Sequence, residues 1–348
     1  MSRRALATCL VLVPGLVVCQ GPGIPDLELP SDPIAIHYRT AEESRRRADD
    51  FRDRIQERAR GGAPRRSPQP GYNEVVPHVD QLRELLGDVF GEQEGDPKRY
   101  QGRLALLDPR TGEVTLAPGA LRGAIPLDWS PDHRRLLFAQ PQGRVFQLWQ
   151  LDRDDDSAHP LTHGSLSHVQ GCYGADGRIV ATAARRVGQT VHSVVTMSRP
   201  GGRRPFEQIS AGPVDHSPTC APESGAVAWV AEPRPGRPEV YARLPGESAR
   251  RVSPGRDPTF TSDGSWLLFS ARSGRDWRLW RVRGDLSGRS RVGSGVRDEF
   301  RPAVSPDGRF VAYVASEELP KRHLYLRRFD GSGDRILFSD GDAEHPVW

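Results

Sequence analysis

The chain has 348 residues, 36 of them glycine and 31 proline, with 27% charged and 36% hydrophobic side chains. That length can bury a sizeable core, and the turn-forming content is high without reaching the range of disordered chains. The net charge of +4 does not mark a nucleic-acid binder. All but two of the 49 basic residues are arginines, scattered along the chain rather than gathered in a stripe with aromatic partners.

Met1-Ser2-Arg3-Arg4 is a basic lead to an apolar run of 14 residues, Ala5 to Val18. The run is short for a membrane span and suits an export signal. Ser2-Arg3-Arg4 also looks like a twin-arginine signal, though an Arg pair is commonly just a charged lead. Residues 20–39 are Gly- and Pro-rich and are expected to form a tether. Thr40-Ala41-Glu42-Glu43 is a capping box, predicting a helix to about Arg60. A solvated helix docked through Phe51 and Ile55 is favoured there over a basic arm for an acidic partner. Gly61 to Gly71 reads as a linker, and Val79 to Leu86 as a second short helix.

From about residue 101 a unit recurs. In Ser305-Pro306-Asp307-Gly308, proline presets φ, Asp307 can bond its own backbone, and Gly308 tolerates positive φ. The uninterrupted apolar run Phe310–Val314 that follows must be covered on both faces. Equivalent acidic turn residues fall at 132, 176, 223, 263 and 307, in steps of 44, 47, 40 and 44. Each repeat adds a third strand (Leu148–Leu151, Val194–Met197, Val240–Arg243, Leu279–Val282, Leu324–Arg327). A fourth, outer strand closes on glycine: Leu161–Gly164, Ile209–Gly212, Val252–Gly255, Val292–Gly295 and Leu337–Gly341. A period near forty with four short strands marks a β-propeller. A sixth outer strand, Val114–Gly119, precedes the first complete repeat, and Trp348 lies 44 residues after Val304. The sixth blade should therefore join both ends of the domain, with His345–Trp348 beside Leu104–Leu107 and Val89-Phe90 as the candidate second strand.

The order Ser-Pro-Asp-Gly, apolar strand, Leu-Trp-Arg-Val or Leu-Tyr-Leu-Arg, then Leu-Thr-x-Gly resembles the repeat of TolB-type (WD40-like) propellers. The same repeat occurs in the propellers of prolyl-oligopeptidase-like enzymes. The expected fold is all-β, a six-bladed propeller with a short helical N-terminal extension. The expected division is 1–19 signal peptide, 20–100 tether, helices and linker, and 101–348 propeller. Leu16-Val17-Val18-Cys19 resembles a bacterial lipobox, which implies acylation of Cys19, with an ordinary secretory peptide as the alternative. The protein is then periplasmic or in the cell envelope, anchored by lipid. Cys172 and Cys220 sit in neighbouring inner strands of an oxidising compartment. Their positions differ by one residue, which favours separate buried thiols slightly over a disulfide.

Catalytic motifs are missing from the sequence: no Gly-x-Ser-x-Gly elbow, Cys-x-x-Cys, His-Glu-x-x-His or phosphate-binding glycine loop occurs. The repeated Asp residues read as turn formers. Aligning the blades on the turn places His168, Asp215, His216, Asp257, Glu299, Arg301 and His345 at one mouth of the central channel. Asp257, Arg301 and His345 each precede a proline, where the inner strand is expected to begin. The resemblance implies that this rim grips an envelope protein or peptide, with no enzyme activity, cofactor or metal, in a monomer. The alternative is a propeller lyase or hydrolase acting on a polysaccharide or peptide through the His and Asp residues, with His168, His216 and His345 as candidate metal ligands.

Overall fold

The computed structural model describes residues 24–25, 28–46, 49, 102–119, 122–142, 145–187, 190–198, 207–212, 214–234, 236–293, 295, 297–316 and 322–348. Cys19, the expected linker, the second helix and Val89-Phe90 lie outside them.

Six four-stranded antiparallel sheets form a closed ring. Blade one holds β4 (Ile125–Trp129), β5 (Arg135–Gln142), β6 (Val145–Asp152) and β7 (Ala158–Pro160). Blade two holds β8 (Ser167–Tyr173), β9 (Ile179–Val187), β10 (Thr190–Ser198) and β11 (Glu207–Gln208). Blade three runs β12 (Asp215–Ala221), β13 (Ala226–Ala231), β14 (Glu239–Arg243) and β15 (Arg250–Pro254). Blade four runs β16 (Arg256–Phe260), β17 (Trp266–Ser273), β18 (Asp276–Arg283) and β19 (Ser290–Arg291). Blade five runs β20 (Asp298–Val304), β21 (Phe310–Ser316), β22 (His323–Arg328) and β23 (Asp334–Phe338).

The sixth blade closes the ring in the order β24 (Gly341–Val347), β1 (Ile34–Thr40), β2 (Arg103–Leu107), β3 (Val114–Leu116). Its second strand corrects the sequence reading. Ile34–Thr40, inside the expected tether, lies between the C-terminal strand and Arg103–Leu107, so His345–Val347 pairs with β1 and not with β2. Ile34, Ala35 and Ile36 are fully buried, as is Arg39, which reaches Glu344 at 3.3 Å. The capping box forms where β1 ends. Thr40 N–H donates to Glu43 Oε2, Glu43 N–H donates to Thr40 Oγ1, and a helix follows over 41–46.

The turns show why aspartate recurs. Ser305 Oγ donates to Asp307 Oδ1 (2.6 Å), Arg309 N–H donates to the same oxygen, and Phe310 N–H donates to Ser305 Oγ. Thr261 and Asp263 repeat this arrangement, as do Ser130 and Asp132. Gly308 and Gly264 take φ near +70°, and His133 takes φ 54° where blade one lacks the glycine. These carboxylates are consumed by the turn. The second strands are apolar on both faces and fully covered: Leu136 to Ala139, Leu267 to Phe269, and Val311 with Ala312.

Two further differences have physical causes. Several outer strands end before the apolar residue expected inside them. Leu161, Ile209 and Val292 fall after the strand, and their N–H groups donate back to Leu148, Val195 and Leu279 carbonyls. Cys172 and Cys220 are joined, with Cα atoms 5.7 Å apart. The one-residue offset does point them to opposite sheet faces. Neighbouring blades, however, pack one face against the opposite face of the next, so the offset brings the sulfurs together.

Candidate functional site

The inner strands frame a channel of about 150 Å³ along the propeller axis. It is lined by matched steps of all six blades: Pro126 to Asp128, Gln170 to Cys172, Ser217 to Thr219, Asp257 to Thr259, Arg301 with Pro302, and His345 to Val347. Each inner strand carries a register shift next to this step. Ser217, Asp257, Arg301 and His345 take φ of 50–53°. A non-glycine residue in that region is uncommon, and four in register, each followed by proline, define a repeated bulge. The strands do not begin at these prolines as expected. They start two to five residues earlier, and proline is tolerated because the innermost edge has no further strand to bond.

Hydrogen bonds stitch neighbouring blades around the channel. Tyr173 N–H donates to Asp128 Oδ2 (2.8 Å), and Ser217 N–H donates to Gln170 Oε1 (2.6 Å). Phe260 N–H donates to Thr219 Oγ1, Arg301 N–H to Asp257 Oδ2 (3.3 Å), and Trp129 Nε1 to Val347 O. The channel wall is thus also the seam of the ring.

The predicted rim residues divide. Asp257, Arg301 and His345 line one channel. His168, Asp215, His216 and Glu299 are buried. Asp215 accepts Gly212 N–H at 2.7 Å, and a Cβ on Gly212 would stand 2.5 Å from its Oδ1, which explains the closing glycine there. His216 Nδ1 lies 2.9 Å from Ser217 Oγ, with Nε2 3.5 Å from Glu232. Glu299 is paired with Arg327 and accepts Leu279 N–H. Burial pushes His168 down to about 4, so it is neutral at physiological pH. These four side chains are packed inside the blades and do not line the channel. Among the described residues no cluster of three or more His, Cys, Asp or Glu side chains is placed to hold a metal ion.

Charge in the channel is uneven. Burial would raise Asp257, but the Arg256 and Arg301 guanidiniums and the hydrogen bonds they supply outweigh it and hold its carboxyl below the usual range. Burial brings Arg301 down to about 10, still a cation at neutral pH, and its buried Nη1 has no hydrogen-bond partner. Burial and the Arg301 charge hold His345 well below its ordinary value. Phe300, which precedes Arg301 in β20, and Trp277 of β18 stand with centroids 5.8 Å apart. Arg256 lies over both, at 5.3 and 5.0 Å. Sequence reasoning missed this pair, Ser217 and Asp128; the recurrent residue-before-proline would have found Ser217.

Burial pushes Asp128 up to about 7, against the hydrogen bonds it accepts from Tyr173 and Trp129 N–H. An unfolded aspartate titrates near 3.8. The protonated form's contribution to stability is therefore full below about pH 4 and lost as pH rises through 7. Asp128→Asn keeps an acceptor for Tyr173 and should raise the melting temperature at pH 8 while changing it little at pH 4. An equal shift at both pH values would contradict the assignment.

No family model matches the sequence, and no curated protein does. Solved structures do. TolB from Acinetobacter baumannii superposes with a TM-score of 0.59 at 18% identity, over 72% of this chain and 63% of that one. A putative TolB from Agrobacterium tumefaciens gives 0.57 at 19% identity, over 69% and 89%. Hydrazine synthase from Kuenenia stuttgartiensis gives 0.57 at 12%, over 74% and 44%. The chain thus spans less than two thirds of the Acinetobacter protein. At these identities the likeness is one of fold: a six-bladed propeller of the TolB type, an architecture found in an enzyme as well.

Proposed function

We propose that the chain is an exported, non-enzymatic propeller that binds an envelope protein or peptide at the mouth of its central channel, and that acylated Cys19 anchors it to a membrane. The observation that carries the binding reading is Arg301, a cation inside the channel whose Nη1 has no protein partner. Leaving a buried donor unbonded is costly unless something else satisfies it. The Trp277–Phe300–Arg256 stack, in which Arg256 and Phe300 precede Asp257 and Arg301, supplies the aromatic and guanidinium surface that anchors protein contacts. Cys172–Cys220 fits an oxidising compartment, and the basic lead and apolar run support export.

The test is capture from detergent-solubilised envelope. Arg301→Met should lose the partner that the wild type retains, with little change in melting temperature. Asp257→Asn is the better companion than Asp257→Ala, because alanine would remove the acceptor of Arg301 N–H. Cys19→Ser should shift the protein from the membrane to the soluble fraction. Equal capture by wild type and Arg301→Met would place the binding face elsewhere, and a wild type released without acyl chains would remove the anchor.

A further inference from the structure

The charges that act on Arg301 come from neighbouring blades as well as its own. β16 contributes Arg256 and Asp257, β24 contributes Glu344 and His345, β1 contributes His37, and Arg322 stands just before β22; Arg39 of β1 and Asp342 of β24 join the cluster through Glu344. Three of the four guanidiniums have carboxylates. Arg256 is 3.2 Å from Asp257, Arg39 is 3.3 Å from Glu344 and 3.8 Å from Asp342, and Arg322 is 3.2 Å from Glu344. Arg301 has no carboxylate within ion-pair distance among the described residues, and its Nη1 is buried without a partner. Four cations thus face three anions, and the uncompensated charge is the one that lines the channel.

We propose that Arg301 receives a single carboxylate of the bound peptide, an inference that rests on the mouth being the binding face. A guanidinium offers a planar fork of donors that matches a carboxylate edge-on. One negative charge completes the local balance, whereas a phosphate dianion would overshoot it beside Asp257 and Glu344. The wall favours an end group over a threaded strand. Pro126, Pro218, Pro258, Pro302 and Pro346 line the cavity and bring no N–H donors, so an extended peptide finds little ladder to extend on the inner edges. The cavity, at about 150 Å³, is also below the usual several hundred Å³ of a small-molecule pocket. The carboxylate comes from a chain terminus or from a Glu or Asp side chain, with the neighbouring residue on Trp277 and Phe300.

Three pools of octapeptides labelled with an uncharged coumarin on immobilised protein test this: free C-terminal acids without Asp or Glu, C-terminal amides without Asp or Glu, and amides with one internal Glu. Retention of at least one carboxylate-bearing pool should exceed that of the neutral amides by roughly tenfold, the scale of one charge-assisted hydrogen bond. Which pool is retained identifies the source. Arg301→Met should erase the difference and Arg301→Lys restore part of it. Should Arg301→Met fail to fold, competition on the wild type replaces it: sodium acetate should release the peptides better than sodium chloride of equal ionic strength. Equal retention of neutral amides overturns the carboxylate, as does inorganic phosphate displacing peptide far better than acetate, or no retention of any pool. If envelope capture through Arg301 persists in those cases, the mouth stands as the binding face and only the carboxylate falls. Loss of both overturns the two readings together.

Discussion

Arg327→Met should destabilise the propeller by about 3–5 kcal/mol, the usual cost of removing one partner of a buried charge pair. Arg327 is fully buried and donates to Glu299 Oε1 (2.6 Å), to Asp334 (2.6 and 2.8 Å), to the Val292 carbonyl (2.8 Å) and to the Tyr313 hydroxyl (3.0 Å). Burial alone would lower its pKa, but the hydrogen bonds to Asp334 and Glu299 outweigh it and hold it above the ordinary value. Methionine fills much of the space and leaves Glu299 buried without its cation. Glu299 also accepts Leu279 N–H, so the loss should spread into blade four. Urea unfolding with an unchanged slope measures the difference. A loss below about 1 kcal/mol, the range of exposed pairs, would contradict this reading of the network.

Ring closure carries the second large effect. The C-terminal strand pairs with β1 from the other end of the chain, Trp129 Nε1 donates to Val347 O, and Trp348 Nε1 donates to Asp32 O. Trp348 is also packed in a cluster with Ile24, Leu29 and Leu337. Trp348→Ala should cost about 3–5 kcal/mol. Deleting His345–Trp348 should abolish cooperative unfolding and lower hydrogen-exchange protection in every blade, because each blade is covered only by its neighbours. Loss of protection confined to blade six would show that the other five stand without closure.

The sequence carried the blades well because the turn and the doubly covered second strand both leave local marks. Ser305, Asp307 and Gly308 are needed for one hydrogen-bonded turn, and Phe310–Val314 must be apolar on both faces. Ile34–Thr40 escaped notice because 62 residues separate it from its partner β2, and because His37, Tyr38 and Arg39 make a buried strand look polar. Arg39 is paired there with Glu344 and Asp342, partners some three hundred residues away. Counting back from the turn put Asp257, Arg301 and His345 at one step, and all three line the channel because they share one step of the bulge. Counting further back crossed that bulge. The extra residue reverses the alternation of faces, and this is why Asp215 meets the Ser210–Gly212 loop and Glu299 meets β18 and β22 while Asp257 and Arg301 meet the channel.

The measurement closest to the central claim is site-specific photo-crosslinking in intact cells. A p-benzoylphenylalanine in place of Phe300 samples the channel mouth, and one in place of Ile336 samples the outer edge of the same blade, where that side chain is 50% exposed. Both variants should melt near the wild type. The account predicts a discrete adduct with an envelope protein from position 300, abolished by Arg301→Met, and none from position 336. An adduct from position 336 alone, unaffected by Arg301→Met, would contradict it.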